Sequence, residues 1–205
     1  MKNPKVIIYD NDGMICHSGR FSDSYSKEFG IEMDIMSPFF EGPFKNCLVG
    51  KADLKEELEK VLDIWNWKGT ANQLLDYWFS VGSTLDEKVF PTISKFKDQG
   101  LIVCLATNQE KYRKEYLVTK FGYDKVFNEI FSSAELGAYK NSEKGLQKTF
   151  DILKDKYGIE DRDEIMYWDD REGNVEHINQ FGMNGQHYKN YEEFRDVMAG
   201  LGYLV

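Results

Sequence analysis

The stretch Val6-Ile7-Ile8-Tyr9-Asp10-Asn11-Asp12-Gly13 decides how the chain is read. Four consecutive apolar residues, three of them β-branched, describe a short strand buried on both faces. Two carboxylates, two positions apart, follow at once. Hard oxygen ligands at a strand end suit Mg²⁺; alternatively, one carboxylate attacks and the other moves protons. The plain alternative is a tight turn, because Asn-Asp-Gly is strong turn chemistry.

Working outward, four more apolar runs read as strands: Leu101–Leu105, Glu129–Phe131, Ile165–Trp168 and Gln186–Tyr188. Helical patterns lie between them. Tyr112, Tyr116 and the 117–121 stretch stop at Gly122. Leu146, Phe150, Leu153 and Tyr157 stop at Gly158, and Val175, Ile178 and Phe181 stop at Gly182. Strand and helix in alternation predict an α/β fold with a doubly wound, mainly parallel sheet.

The stretch from 16 to 85 breaks this rhythm and holds no convincing strand. Asp53 with Glu56 resembles a capping box, and Leu54, Leu58, Val61, Leu62 and Trp65 then share one helix face. Thr70 with Gln73 starts another helix, which carries Leu74, Leu75 and Trp78. About seventy residues are too many for an ordinary crossover. The expected division is an α/β core of 1–15 and 86–205 with an all-helical cap of 16–85. Within the cap, Ser37 to Phe44 reads as a turn-rich aromatic loop. Lys45 and Lys51 read as exposed lysines or as cations that reach a substrate. Trp65, Trp67, Tyr77 and Trp78 read as the small core of the cap, and His17 as a hinge residue.

The 205 residues carry 26 Lys+Arg against 35 Asp+Glu, a net charge of −9. Such a chain repels nucleic acid and anionic lipid, so neither is an expected partner. Cys16, Cys47 and Cys104 form no Cys-x-x-Cys pattern and suggest neither a disulfide framework nor a zinc site. With no membrane-length apolar run and no signal-peptide pattern at Met1–Pro4, the expected location is cytoplasmic.

Each remaining reactive group also follows a strand. Thr107-Asn108 offers a hydroxyl, an amide and backbone N–H groups that can hold phosphate oxygens, or simply caps a helix. Lys140 could neutralise a carboxylate and a bound anion, although most lysines are solvated. Asp169-Asp170, with Asn174 four positions further on, provides either metal ligands or an N-cap with a first-turn acid. In an open parallel sheet the ligand crevice lies outside the carboxyl ends of the strands, where all of these would meet.

In this order, Asp10/Asp12, Thr107, Lys140 and Asp169/Asp170 resemble the haloacid dehalogenase (HAD) superfamily, in the branch whose helical cap follows the first motif. Asp169-Asp170-Arg171-Glu172-Gly173-Asn174 and Phe181-Gly182-Met183 strengthen the resemblance. Two positions depart from it: Met14 stands where Thr or Val is usual, and Asn141 stands where Pro follows the lysine, with Lys144 the alternative lysine. The resemblance implies Asp10 as nucleophile and Asp12 as general acid and base. It places Mg²⁺ on Asp10, the Asp12 carbonyl and Asp170, with Asp169 behind, and it sets Thr107, Asn108 and Lys140 on the phosphate. Dehalogenases of the superfamily lack an acid at the position of Asp12, since halide leaves without a proton. The expected activity is therefore a Mg²⁺-dependent phosphatase for a small phosphorylated metabolite, sugar phosphates first and nucleotide-like monophosphates second, acting as monomer or homodimer. A phosphosugar mutase using the same residues and a non-catalytic phosphoaspartate receiver are the alternatives.

Overall fold

A computed structural model describes residues 3–17, 19–81 and 83–204. Among them the strands are β1 (Val6–Asp10), β2 (Cys16–His17), β3 (Thr84–Leu85), β4 (Ile102–Thr107), β5 (Glu129–Ser132), β6 (Ile165–Asp169) and β7 (Asn184–His187). Five of them form one sheet in the order β5-β4-β1-β6-β7. Every neighbouring pair in it is parallel. The chain leaves β1 for β4 on one side and later returns to β6 on the other, so β1 flanks the point where the winding reverses and a crevice opens.

The apolar run of β1 is buried on both sides, as its composition demands. Ile7 and Tyr9 pack on one face with Val103, Leu105, Met166 and Trp168. Val6 and Ile8 pack on the other with Cys104, Ala106, Ile165 and Tyr167. Helices Val89–Asp98, Lys111–Phe121 and Tyr191–Gly200 cover the first face through Ile93, Phe96, Leu117 and Phe194. Helices Glu143–Tyr157 and Glu172–Gln180 cover the second through Leu146, Phe150, Leu153 and Ile178. Each such aliphatic side chain stabilises the fold by roughly 1.5–3 kcal/mol when fully buried.

The helices of 111–121 and 143–157 stop at Gly122 and Gly158, as their patterns predict. Strand β7 is displaced from the expected 186–188, because its sequence Asn-Gly-Gln-His carries no apolar run to mark it. Strands β4 and β6 run further than expected, to Thr107 and Asp169, so these polar residues end the strands themselves.

Between β2 and β3 lie helices Phe21–Phe29, Met33–Glu41, Pro43–Leu48, Leu54–Glu59 and Ala71–Ser80. They enclose a cluster of their own around Trp65, Tyr25, Met36, Leu58 and Leu74. The antiparallel β2–β3 ribbon corrects the expectation that 16–85 is purely helical; strands of two residues are too short to show a period. A second correction concerns Ser37–Phe44, which is helix rather than loop, broken only at Gly42. Pro38 sits on the exposed side of its helix, where the carbonyl it leaves unpaired meets water, and Pro43 takes the first helical position, where it lacks no bond. A third concerns the helix begun at Asp53, which ends at Glu59 rather than continuing to Trp65. Tighter turns follow, such as Val61 N–H to the Leu58 carbonyl at 2.9 Å. They still carry Trp65 into the cluster. Thr70 and Gln73 form the complete capping box: Gln73 N–H donates to Thr70 Oγ1 at 3.3 Å and Thr70 N–H to Gln73 Oε1 at 2.8 Å. Among the described residues no helix is long and apolar enough to cross a membrane.

Candidate active site

Parallel register puts the ends of β1, β4 and β6 side by side. Asp10 stands opposite Ala106, one residue before Thr107, and Tyr9 opposite Trp168, one residue before Asp169. Asp10 (6% exposed), Thr107 (1%), Lys140 (2%) and Asp169 (0%) are polar groups almost wholly removed from water, which is costly unless each finds a partner.

Lys140 supplies most of that partnership. Its Nζ lies 2.5 Å from Asp10 Oδ1 and 2.8 Å from Asp169 Oδ2. Lys144, the alternative lysine, is exposed on helix Glu143–Tyr157. The backbone N–H of Lys140 donates to Asn108 Oδ1 at 2.9 Å, so Asn108 holds the loop that presents the ammonium. The loop lies close against the next helix. A Cβ on Gly145 would collide with the Tyr139 carbonyl, so only glycine fits there.

Asn141, one of the two departures from the HAD pattern, has a structural use. Its Nδ2 donates to Asn174 Oδ1 at 2.6 Å, and Asn174 Nδ2 donates to Asp169 Oδ1 at 2.9 Å. The Arg171 N–H donates to the same Asp169 oxygen at 3.0 Å. Both oxygens of Asp169 are thus engaged. Asp170 differs: its Oδ1 is buried with no hydrogen-bond partner among the described residues. The turn after β1 lies against it. Gly13 has φ +87°, and a Cβ there would overlap the Asp170 carboxylate.

Carboxylate oxygens of Asp10, Asp169 and Asp170 all lie within 4.8 Å of one another. Three carboxylates face one ammonium, a charge deficit that a divalent cation would correct. Burial pushes the Asp10 carboxyl up, to about 7, against the pull of Lys140 and with the push of Asp169. Burial works to lower the Lys140 ammonium, but Asp10 and Asp169 outweigh it and hold it far above the usual lysine range. The residues therefore fit a cation such as Mg²⁺: an all-oxygen donor set, an unpartnered buried oxygen on Asp170 and uncompensated negative charge.

Asp12 stands apart from this triad. Its side chain receives Gln109 Nε2 at 2.7 Å and Asn11 Nδ2 at 3.2 Å. Asn11 is itself held by the Tyr123 hydroxyl, which donates to Asn11 Oδ1 at 2.8 Å. Asp12 lines a cleft of about 390 Å³ between the sheet edge and the helical segment. Thr107 Oγ1 is buried without a partner among the described residues, as expected of a donor that awaits a ligand.

Other positions fall elsewhere. Lys45 is exposed and does not line the cleft; Lys51 lines a separate cavity beside Asp53 and Lys111. The cleft contains instead Arg20, Arg113 and Arg171, with Gln109 and Glu110. Arg171 belongs to the Asp169–Asn174 stretch already singled out, whereas nothing in the local sequence of the others distinguishes them from surface residues. Trp65 is core, as its spacing suggests, whereas Trp78 also faces the cleft. His17 Nε2 lies 3.2 Å from Asp86 Oδ2 at the β2–β3 ribbon.

The chain has the fold of HAD enzymes. It superposes on a HAD family enzyme from Bacteroides thetaiotaomicron with a TM-score of 0.79 at 17% identity, over 96% of this chain and 99% of that one. That enzyme is also known as a complex with magnesium and inorganic phosphate, matched at TM-score 0.76 and 17% identity over 94% and 99% of the two chains. A HAD-like family hydrolase from Porphyromonas gingivalis matches at TM-score 0.76 and 18% identity over 98% and 99%. The L-2-haloacid dehalogenase of Xanthobacter autotrophicus matches at 0.62 and 14% over 96% and 83%. No protein-family model matches the chain, and no curated protein sequence is a significant match.

Proposed function

We propose that this protein is a Mg²⁺-dependent phosphatase that hydrolyses small phosphate monoesters through an aspartyl-phosphate on Asp10. The observation that carries this reading is the bridge from Lys140 to both Asp10 and Asp169, beside an unpartnered Asp170 oxygen. The magnesium and phosphate bound by the structurally similar Bacteroides enzyme support it.

Asp10, Asp170 and the Asp12 carbonyl would hold the cation, with Asp169 behind them. When bound, Mg²⁺ offsets the charge between carboxylate and phosphate that otherwise keeps them apart. An Asp10 oxygen attacks phosphorus, forming the new P–O bond as the ester oxygen leaves with a proton from Asp12. Asp12, now a base, takes a proton from water. The water oxygen attacks phosphorus, the Asp10–phosphorus bond breaks, and inorganic phosphate leaves with Asp10 restored. The Thr107 hydroxyl and Lys140 hold the transferring oxygens, and Asn108 positions the Lys140 loop. The segment 16–85 acts as a cap that excludes water from the cleft.

The acid at position 12 separates this chemistry from dehalogenation, since an alkoxide needs a proton to leave and a halide does not. The test is phosphate release from a panel of monoesters with Mg²⁺, with EDTA, and with Asp10→Asn. Activity should need the metal and fall by about 10⁴-fold or more in the variant. Chloride release from 2-chloropropionate without phosphate release from any ester would replace the reading with dehalogenation.

A further inference from the structure

The cleft above Asp12 has a divided lining that bears on what it admits. Its cap side is formed by Phe44, Leu48, Leu54, Trp78, Phe79 and Val81, with Gly19 and Arg20 beside them. Apart from the Trp78 indole N–H and the Arg20 guanidinium, this wall offers no hydrogen-bonding side chain. A sugar ring needs donors and acceptors for its hydroxyls, and burying those hydroxyls unpaired is costly. An apolar or aromatic body loses nothing here and gains contact with three aromatic side chains and two leucines.

The charged groups of the same cleft sort into two sets. Asp12 is engaged by Gln109 and Asn11. Glu110 is 2% exposed and caps helix Lys111–Phe121, accepting from the N–H groups of Tyr112 at 2.7 Å and Arg113 at 2.6 Å. Arg113 donates to the Phe79 carbonyl at 3.2 Å and to Ser83 Oγ at 2.6 Å. Glu110 and Arg113 are thus committed to the protein, and Asp12 to the proton transfers. Arg20 and Arg171 are not: both line the cleft, and neither guanidinium has a hydrogen bond or ion pair among the described residues. Two unpaired guanidinium groups on one cavity, in a chain of net charge −9, make a local positive field. A guanidinium pairs best with a planar carboxylate, which it binds with two parallel hydrogen bonds. Lys140, buried with Asp10 and Asp169, already serves the transferring phosphate.

We propose that the cleft selects phosphate monoesters with an apolar, aromatic organic part bearing a second anionic group, a carboxylate, which Arg20 and Arg171 bind. The inference rests on the phosphatase reading for the position of the ester. It differs from the sugar phosphates that the sequence suggests.

The test compares benzyl phosphate, 4-carboxybenzyl phosphate and glucose 6-phosphate as substrates of the full-length protein, of Arg20→Ala and of Arg171→Ala. Benzyl alcohols of similar acidity leave in the first two, so the comparison isolates the carboxylate. Calorimetric binding of the two benzyl esters to Asp10→Asn, with and without Arg20→Ala, adds a readout independent of turnover. The expected result is a preference in kcat/KM of about tenfold or more for the carboxylated ester, with glucose 6-phosphate poorest. Each arginine variant should shrink that preference, chiefly through KM, and binding should follow the same order. No preference in the wild type, a preference unchanged in both variants, or glucose 6-phosphate as best substrate overturns the inference. Hydrolysis of all three esters without preference leaves the phosphatase standing and ends this proposal. Arginine-dependent binding without turnover of any ester supports the subsite and ends the phosphatase.

Discussion

The floor and the roof of the cleft are built on opposite principles. On the floor, Asp10, Lys140 and Asp169 are almost fully buried and joined by short ion pairs, with Asn108, Asn141 and Asn174 holding the pieces in place. The roof is held by ring packing around Trp65, where Phe39, Phe40 and Tyr25 lie with centroids 5.1–6.0 Å away. Directional, charged contacts in a dry site allow little change of residue. Apolar packing tolerates substitution if volume is kept. On the proposed reading, the floor carries the chemistry and the roof the choice of substrate.

The largest break in this contrast should come from Lys140→Met. Removing the ammonium leaves two buried carboxylates unpaired, at a cost of about 3–5 kcal/mol in urea denaturation at neutral pH. The folded-state pKa of Asp10 lies near 7, above its unfolded value of 3.8, so the folded protein binds the proton more readily. Stability therefore rises as pH falls from about 7 toward 4, and the variant should show a steeper rise than the wild type. A cost no larger than that of a surface lysine would break the comparison.

Asp12→Ala should come next, lowering turnover by about 10²–10⁴-fold while the protein still binds phosphate esters. The loss should be greater for an alkyl ester than for 4-nitrophenyl phosphate, whose leaving group needs no proton. Steady-state kinetics on both substrates would show this, and equal losses would remove the general-acid role.

Asn141→Ala acts at one remove, through Asn174 on Asp169. We expect a fall of about tenfold in kcat with little change in KM, corresponding to one lost buried hydrogen bond of about 1 kcal/mol. Asn141→Pro, the residue the HAD pattern favours, should show whether the rigid loop does the same work; activity unchanged in both would mean that Lys140, Asn174 and the Arg171 N–H orient Asp169 without the Asn141 link.

The smallest effect lies where core and cap meet. Asp53 caps its helix and also takes Lys111 Nζ at 2.5 Å and the Tyr112 hydroxyl at 2.8 Å. Burial works to raise its carboxyl, but the bonds from Lys111, Tyr112 and the helix N–H groups outweigh that and hold it at about 2. Its contribution is present above its unfolded pKa and is lost as pH falls through 2. The pair is partly solvated, so Asp53→Asn should cost no more than about 1 kcal/mol at pH 7, a difference that fades toward pH 2. Thermal melts across this range would check it.

How much of this was legible beforehand follows from the same contrast. The acids at the ends of β1 and β6 and Thr107 were legible because each follows an apolar run that marks a buried strand, whereas Lys140, beyond the short helix after β5, was singled out by the resemblance. Asn141 looked like a neutral departure, since its use depends on Asn174, thirty-three positions away. The helices around Pro38 and Pro43 were read as loop because proline is costly only where its missing N–H is needed, and exposure decides that. Arg20 carried no signal and Arg171 only its place in the Asp169–Asn174 stretch, because their significance is that nothing among the described residues pairs with either guanidinium.

Local composition by itself determined the buried parallel strands and most helix ends in the core, because burial on both faces and turn formation act over a few residues; the chemistry proposed for the site came from the resemblance. Only the tertiary structure decided which oxygens remain unpartnered among the described residues, which lysine is buried, and that a largely apolar wall lies in one cleft with Asp12, Arg20 and Arg171. Those are properties of distances between residues far apart in the chain, which packing sets and spacing in sequence does not encode.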